Sequence, residues 1–113
     1  FYVRNVYDGD TLTLVDGRRV RFLGIDTPEL EEGQPFAVEA KQYTKEYCKK
    51  QQEIYLSFDP KDSLSEREDK YGRLVANVWV RLQESDGDRY FCVNEGLVAE
   101  GLATVYLMSK DKK

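Results

Sequence analysis

Leu12 and Leu14 alternate ahead of an Asp16-Gly17 pair, and the alternation resumes through Val20-Arg-Phe-Leu-Gly-Ile25. This pattern commits the start of the chain to antiparallel strands. Asp-Gly supplies the positive-φ residue that a tight hairpin turn requires, so strands over 11–15 and 20–25 are predicted to pair. A further strand is read over 1–7, and Gly24 inside the third suggests a bulge. From Phe36 the period changes. Phe36, Ala40, Tyr43 and Tyr47 step by four, three and four, which places them on one apolar face of a helix. Ile54, Leu56 and Phe58 return to a period of two. The polar stretch 59–70 reads as a loop, 75–82 as a strand, Asp86-Gly87 as a turn and 90–92 as a short strand. Asn94 is placed to cap a helix over 95–100 that Gly101 ends. Three strands, a helix, two more strands and a small helix fit a compact, strongly curved antiparallel sheet. A five-stranded OB-type β-barrel with helices (α+β) is the natural architecture.

At 113 residues, one domain over 1–113 is expected. The chain opens on Phe1 rather than methionine, so a fragment or processed chain is expected and its compartment is hidden. No apolar run approaches the roughly 18 residues of a membrane helix, and no membrane partner is expected. Acidic residues number 21 against 17 basic ones, a net charge of −4. Such a surface attracts polyphosphates weakly, so phosphate chemistry must rest on local arrangement. Arg18-Arg19-Val20-Arg21 and Lys49-Lys50 are the local basic clusters.

Two absences narrow the chemistry. Without histidine, every mechanism built on an imidazole base, acid or ligand is excluded. With only Cys48 and Cys92, a four-ligand zinc site made from Cys and His is excluded too. These cysteines could form one disulfide or remain two buried thiols. Catalysis would fall to carboxylates, Arg, Lys, Tyr and a hard metal.

Three short motifs carry those groups. In Asp8-Gly9-Asp10-Thr11, Asp10 shares parity with Leu12 and Leu14 and leans toward the inner face, although a turn capped by its aspartates would explain the same residues. In Ile25-Asp26-Thr27-Pro28-Glu29, Pro28 pushes Thr27 toward extended backbone, gathering Asp26 and Glu29 at a strand's mouth. Asp69-Lys70-Tyr71-Gly72-Arg73 is a turn that delivers an arginine to the start of a strand. Each alone reads equally as a surface turn. Together they supply what phosphodiester cleavage requires: carboxylates and carbonyls for a hard cation, guanidinium forks for phosphate, and a carboxylate base.

The motifs, in this order with Arg21 between the first two and "VNEGLVAEGLA" at 93–103, resemble the staphylococcal nuclease (thermonuclease) family over about 2–105. The resemblance implies an OB barrel with helices and a Ca²⁺-dependent endonuclease. Its substrates would be DNA and RNA, single-stranded or flexible by preference, and its products 3′-phosphates. It implies Ca²⁺ ligation by the side chains of Asp10 and Asp26 and the carbonyl of Thr27. Glu29 would be the general base, while Arg21 and Arg73 would clamp the scissile phosphate. Lys70 and Tyr71 would contact a neighbouring phosphate, with Asp8 supporting the metal ligands. A monomer is expected, and a secreted or cell-envelope location is plausible by resemblance.

The chain also departs from that family. It is acidic where strong nucleases of the family are often basic. Leu107 and Ser109 align with two pocket tyrosines, while Tyr106 is offset by one residue. Loop 30–35 looks shorter and loop 59–70 longer and more acidic. The family continues into another C-terminal helix where this chain stops at "SKDKK", so that helix is expected either outside this fragment or lost. The alternative functions are a non-catalytic OB module binding nucleic acid or protein, and a solely structural Ca²⁺ site. The choice of Ca²⁺ over Mg²⁺ rests mainly on the resemblance.

Overall fold

The computed structural model describes residues 1–105. Strands β1 (Val3–Asp8), β2 (Thr11–Leu14) and β3 (Arg19–Phe22) form an antiparallel meander, as the alternation predicts. A two-residue strand β4 (Ile25–Asp26) follows, then helix α1 (Ala37–Tyr47), β5 (Tyr55–Ser57) and a 3₁₀ turn over Leu64–Arg67. The long β6 (Leu74–Glu84), β7 (Gly87–Cys92), α2 (Val93–Ala99) and β8 (Thr104–Val105) complete the order.

The main sheet runs β1-β2-β3-β6-β5, with β7 also on β6. The sheet is mixed rather than wholly antiparallel as expected: β3 and β6 run parallel, and its other neighbouring strands run antiparallel. Among the described residues no ladder closes the sheet between β1 and β5. A single bridge, Tyr2 to Glu53, draws these edges together, reinforced by Ile54 N–H to the Phe1 carbonyl at 2.8 Å and Val3 N–H to the Gln52 carbonyl at 2.9 Å. The result is the partly open form of an OB barrel. Its interior is filled by alternate strand residues, among them Leu12, Leu14, Val20, Phe22, Val78 and Val80, all at most 1% exposed. Leu97 from α2 and Ala40 from α1 seal it.

Several local readings are corrected. Phe36 is not on the buried helix face. It stands before α1 at a left-handed φ of 68° and is 62% exposed. The buried face is narrow and small, made of Ala37, Ala40 and Thr44, because α1 packs closely on the β1–β2 turn. Tyr43 and Tyr47 pack at its margin. Gly24 breaks the third strand rather than bulging it. With φ at 76°, it turns the chain out of the main sheet so that β4 pairs with β8 instead.

Asn94 caps nothing, since α2 already begins at Val93; its side chain reaches into the sheet instead. The loop over 59–70 contains the 3₁₀ turn, started by a capping box between Ser63 and Glu66. Cys48 and Cys92 are free and buried. Burial pushes the Cys48 thiol up to about 12 and raises that of Cys92. Tyr106, Leu107, Ser109 and the "SKDKK" terminus lie outside the described residues.

Candidate active site

The Asp8-Gly9-Asp10 turn between β1 and β2 is held from below by α1, whose Thr44 hydroxyl donates to the Gly9 carbonyl at 2.7 Å. A Cβ on Gly9 would lie 2.8 Å from Ala40 Cβ and 2.8 Å from Thr27 Cγ2, so only glycine permits this approach. Asp8 and Asp10 are both buried. Asp8 Oδ1 accepts the Asp10 backbone N–H at 3.2 Å, which shapes the turn.

Asp10 links the first two motifs. Its Oδ2 accepts the Thr27 backbone N–H at 3.0 Å and its Oδ1 accepts the Thr11 hydroxyl at 3.1 Å. Arg21, one strand across and in register with Thr11, lies against the same group. Its Nη1 is 3.5 Å from Asp10 Oδ2 and donates to the carbonyls of Phe22 and Ile25, both at 2.8 Å. Its Nη2 donates to Asp26. A single buried guanidinium thereby joins Asp10 and Asp26. The Asp10 carboxylate is buried while Asp26 is more than half exposed, so it is chiefly the Asp10 charge that the guanidinium compensates.

Like charges mark the same place. Burial, then the Asp10 side chain and its charge, raise the Asp8 carboxyl to about 7. Glu29 is pushed above the usual glutamate range, by burial first and then by Asp10 and Glu32, with Arg21 opposing. Its backbone N–H donates to Gln34 Oε1 at 2.6 Å, which anchors the segment after Pro28. Asp8 and Glu29 face a common open groove with Tyr7, Glu31, Lys41 and Tyr71.

The third motif forms its own frame. Glu68 and Leu74 bridge across the turn, and Asp69 Oδ1 accepts the backbone N–H groups of Tyr71 at 2.9 Å and Arg73 at 3.0 Å. Arg73 Nε donates to Asp69 Oδ2 at 2.7 Å, and its guanidinium lies 5.3 Å from the Tyr71 ring centre. Lys70 stands 5.2 Å from the same ring. Tyr71 lines the groove, while Arg73 stays tied to Asp69.

A hard cation fits the donors in kind. Asp10, Asp26 and the Thr27 carbonyl are oxygen donors, and the Thr27 hydroxyl, beside Gly9, is buried with no hydrogen-bond partner among the described residues. Among the described residues no three Asp, Glu, His or Cys side chains converge as a metal cluster, so a cation would rest on two carboxylates and neutral oxygens. Sequence reasoning missed Asp69 as the group that aims Arg73, although Asp three residues before Gly72 is the signal of such a turn. It also missed Thr44, which carries no local signal for its role.

The fold is an OB-type barrel with helices, with carboxylates and arginines gathered where its strands open. The chain belongs to the staphylococcal nuclease homologue family, whose model matches residues 19–113. It is 38% identical over 110 residues to the thermonuclease of Staphylococcus intermedius, covering 91% of this chain and 57% of the relative. It is 39% identical over 105 residues to endonuclease YncB of Bacillus subtilis (strain 168), covering 87% of this chain and 44% of that protein. The SPbeta prophage-derived endonuclease YokF of the same organism is also 39% identical over 105 residues, with 31% of its length covered. The chain thus spans only part of the length of the relatives it matches.

Proposed function

We propose that this domain is a Ca²⁺-dependent endonuclease that hydrolyses DNA and RNA as a monomer, preferring single-stranded or flexible substrate and leaving a 3′-phosphate and a 5′-hydroxyl. The observation that carries the reading is the buried Arg21 guanidinium joined to Asp10 and Asp26, three groups whose charges all act on Glu29. The nuclease names of the relatives support it.

Asp10, Asp26 and the Thr27 carbonyl would hold Ca²⁺, with Asp8 shaping the turn that presents Asp10. Bound there, the ion would supply positive charge to the phosphate oxygens. Arg21 exchanges Asp26 for a phosphate oxygen, and Arg73 adds a second guanidinium, so both bind more strongly as charge grows on five-coordinate phosphorus. Glu29 orients a water and takes its proton as the water oxygen bonds to phosphorus. Burial and the neighbouring charges of Asp10 and Glu32 favour its protonated form, the state it reaches on taking that proton. The bond from phosphorus to the 5′ oxygen breaks, and that oxygen leaves as a hydroxyl after taking a proton from solvent. Lys70 and Tyr71, exposed on their turn, contact a neighbouring phosphate.

A non-catalytic OB module is the competing reading. Loss of at least one of Asp10, Arg21, Asp26, Glu29 and Arg73 would favour it, and all five are present. The test is cleavage of a fluorogenic single-stranded DNA at low salt with Ca²⁺, Mg²⁺ or EDTA. Cleavage with Ca²⁺ alone is expected. Cleavage that survives EDTA would overturn the metal assignment, and none with any metal would leave the binding module.

A further inference from the structure

Two arginine–tyrosine pairs flank the groove, and the family resemblance assigns only one of them. The first is Arg73 with Tyr71. The second is Arg19 with Tyr7, its guanidinium 5.5 Å from the ring centre. Both tyrosines line the groove that holds Asp8 and Glu29. Tyr7 is 45% exposed although it belongs to a strand of the barrel. Tyr7 follows inward-facing Val6, so its side chain points outward, and a register shift between Val6 and Asp8 leaves it without a partner on β2. Its hydroxyl donates to the carboxylate of Glu31, which pins the ring across the groove.

Arg19 is exposed, and among the described residues it forms no ion pair, unlike its neighbours Arg18 and Arg21. It lies two residues before Arg21 on β3, so the two side chains share one face of the sheet. Leu74 pairs with Val20, so Arg73 enters the sheet at the level of Arg19. Arg19 therefore extends the row of guanidinium groups at the candidate phosphate site by one position along the strand. A planar aromatic ring beside an unpaired guanidinium is the combination that holds one nucleotide of a single strand, base on ring and phosphate on cation.

We propose that Tyr7 and Arg19 form a subsite for a nucleotide flanking the scissile phosphate in single-stranded nucleic acid, the base stacking on the face of Tyr7 opposite the guanidinium and the phosphate pairing with Arg19. The proposal rests on the nuclease reading for its place relative to the scissile bond, but binding at the subsite needs no turnover. The carboxylates of Glu29 and Glu31 on the groove side repel a phosphate there, so the backbone runs along the Arg19 side. In an acidic protein such a local pair replaces the general positive field that its surface lacks.

The test is fluorescence-anisotropy titration of a labelled 12-nucleotide single strand and the matching duplex, in EDTA, with wild type, Tyr7→Ala, Tyr7→Phe and Arg19→Ala. Tyr7→Ala should weaken single-strand binding by about 5- to 150-fold and duplex binding far less, because a paired base cannot stack on a side chain. Tyr7→Phe should restore most of that affinity, which a merely structural role through Glu31 would not. Arg19→Ala should lower the salt slope of single-strand binding by about 0.7, whereas Tyr7→Phe leaves it unchanged. Single-strand affinities within twofold of wild type for both Ala variants would overturn the subsite, whether or not the wild type cleaves. Loss in those variants from a wild type that binds but never cleaves would uphold the subsite and overturn the nuclease reading.

Discussion

Asp69 grips Arg73 at two points, its Oδ2 accepting the side-chain Nε–H at 2.7 Å and its Oδ1 the backbone N–H at 3.0 Å. The carboxylate thus fixes both where the arginine leaves the turn and which way its fork faces. Asp69→Ala should lower cleavage by about 10- to 100-fold through misplacement of that fork. Arg73→Lys should also be severe, because a point charge cannot replace two parallel donors. Near wild-type turnover in either variant would show that the fork does not act on the phosphate.

The same contact carries a pH dependence. Partial burial opposes ionisation of Asp69, but the N–H groups of Arg73 and Tyr71 and the guanidinium outweigh it and hold the carboxyl below its ordinary 3.8. A carboxyl depressed in the folded state adds stability above its unfolded value and loses it as pH falls through the folded one. Asp69→Asn should therefore melt lower than wild type near pH 6, and the two should converge under strong acid. A gap that persists unchanged at low pH would assign the effect to packing instead.

Glu29→Gln keeps the shape of the side chain and removes its basicity. Turnover should fall by about 10²–10⁴-fold, with the melting temperature unchanged or raised, because one repelling carboxylate is removed. Full activity would remove Glu29 from the mechanism.

Saturating Ca²⁺ should raise the melting temperature, because a bound cation relieves the repulsion among Asp8, Asp10, Asp26 and Glu29. Gly9→Ala drives a methyl group into Thr27 and Ala40, and should cost about 1–3 kcal/mol by urea unfolding while reducing the Ca²⁺ shift. An unchanged melt of the wild type with Ca²⁺ would count against the cation site.

Asn94 joins three parts of the fold. Its Oδ1 accepts Val78 N–H at 2.9 Å and its Nδ2 donates to the Leu23 carbonyl at 3.0 Å, linking α2, β6 and the break after β3. Asn94→Leu strands the buried Val78 N–H and the half-buried Leu23 carbonyl and should cost about 2–5 kcal/mol. A urea midpoint equal to wild type would mean that water satisfies them.

Cys48 and Cys92 are free, buried and held as neutral thiols. A thiol-specific disulfide reagent should react with them only after unfolding, and reductant should leave the melting temperature unchanged. Fast labelling of the native protein would contradict their burial.

The sequence by itself determined the elements whose causes are local. Alternation set β1–β3 and β6, and Asp-Gly set the hairpin turns. The inventory of chemistry was equally legible, because a chain without histidine leaves carboxylates and guanidinium groups to do the work. What lay beyond reach depended on partners distant in the chain. Asn94 looks like a cap by position, but its partners are 16 and 71 residues away. Phe36 fits the helical period, yet the chain must turn left-handed there to bring small residues against Gly9. Arg21 reads only as a cation on a strand, and folding alone brings it between Asp10 and Asp26. Dihedral preferences act within a few residues, so sequence pattern reports them. Which buried group meets which is settled by desolvation and packing of the whole barrel, and those exist only once the strands have come together.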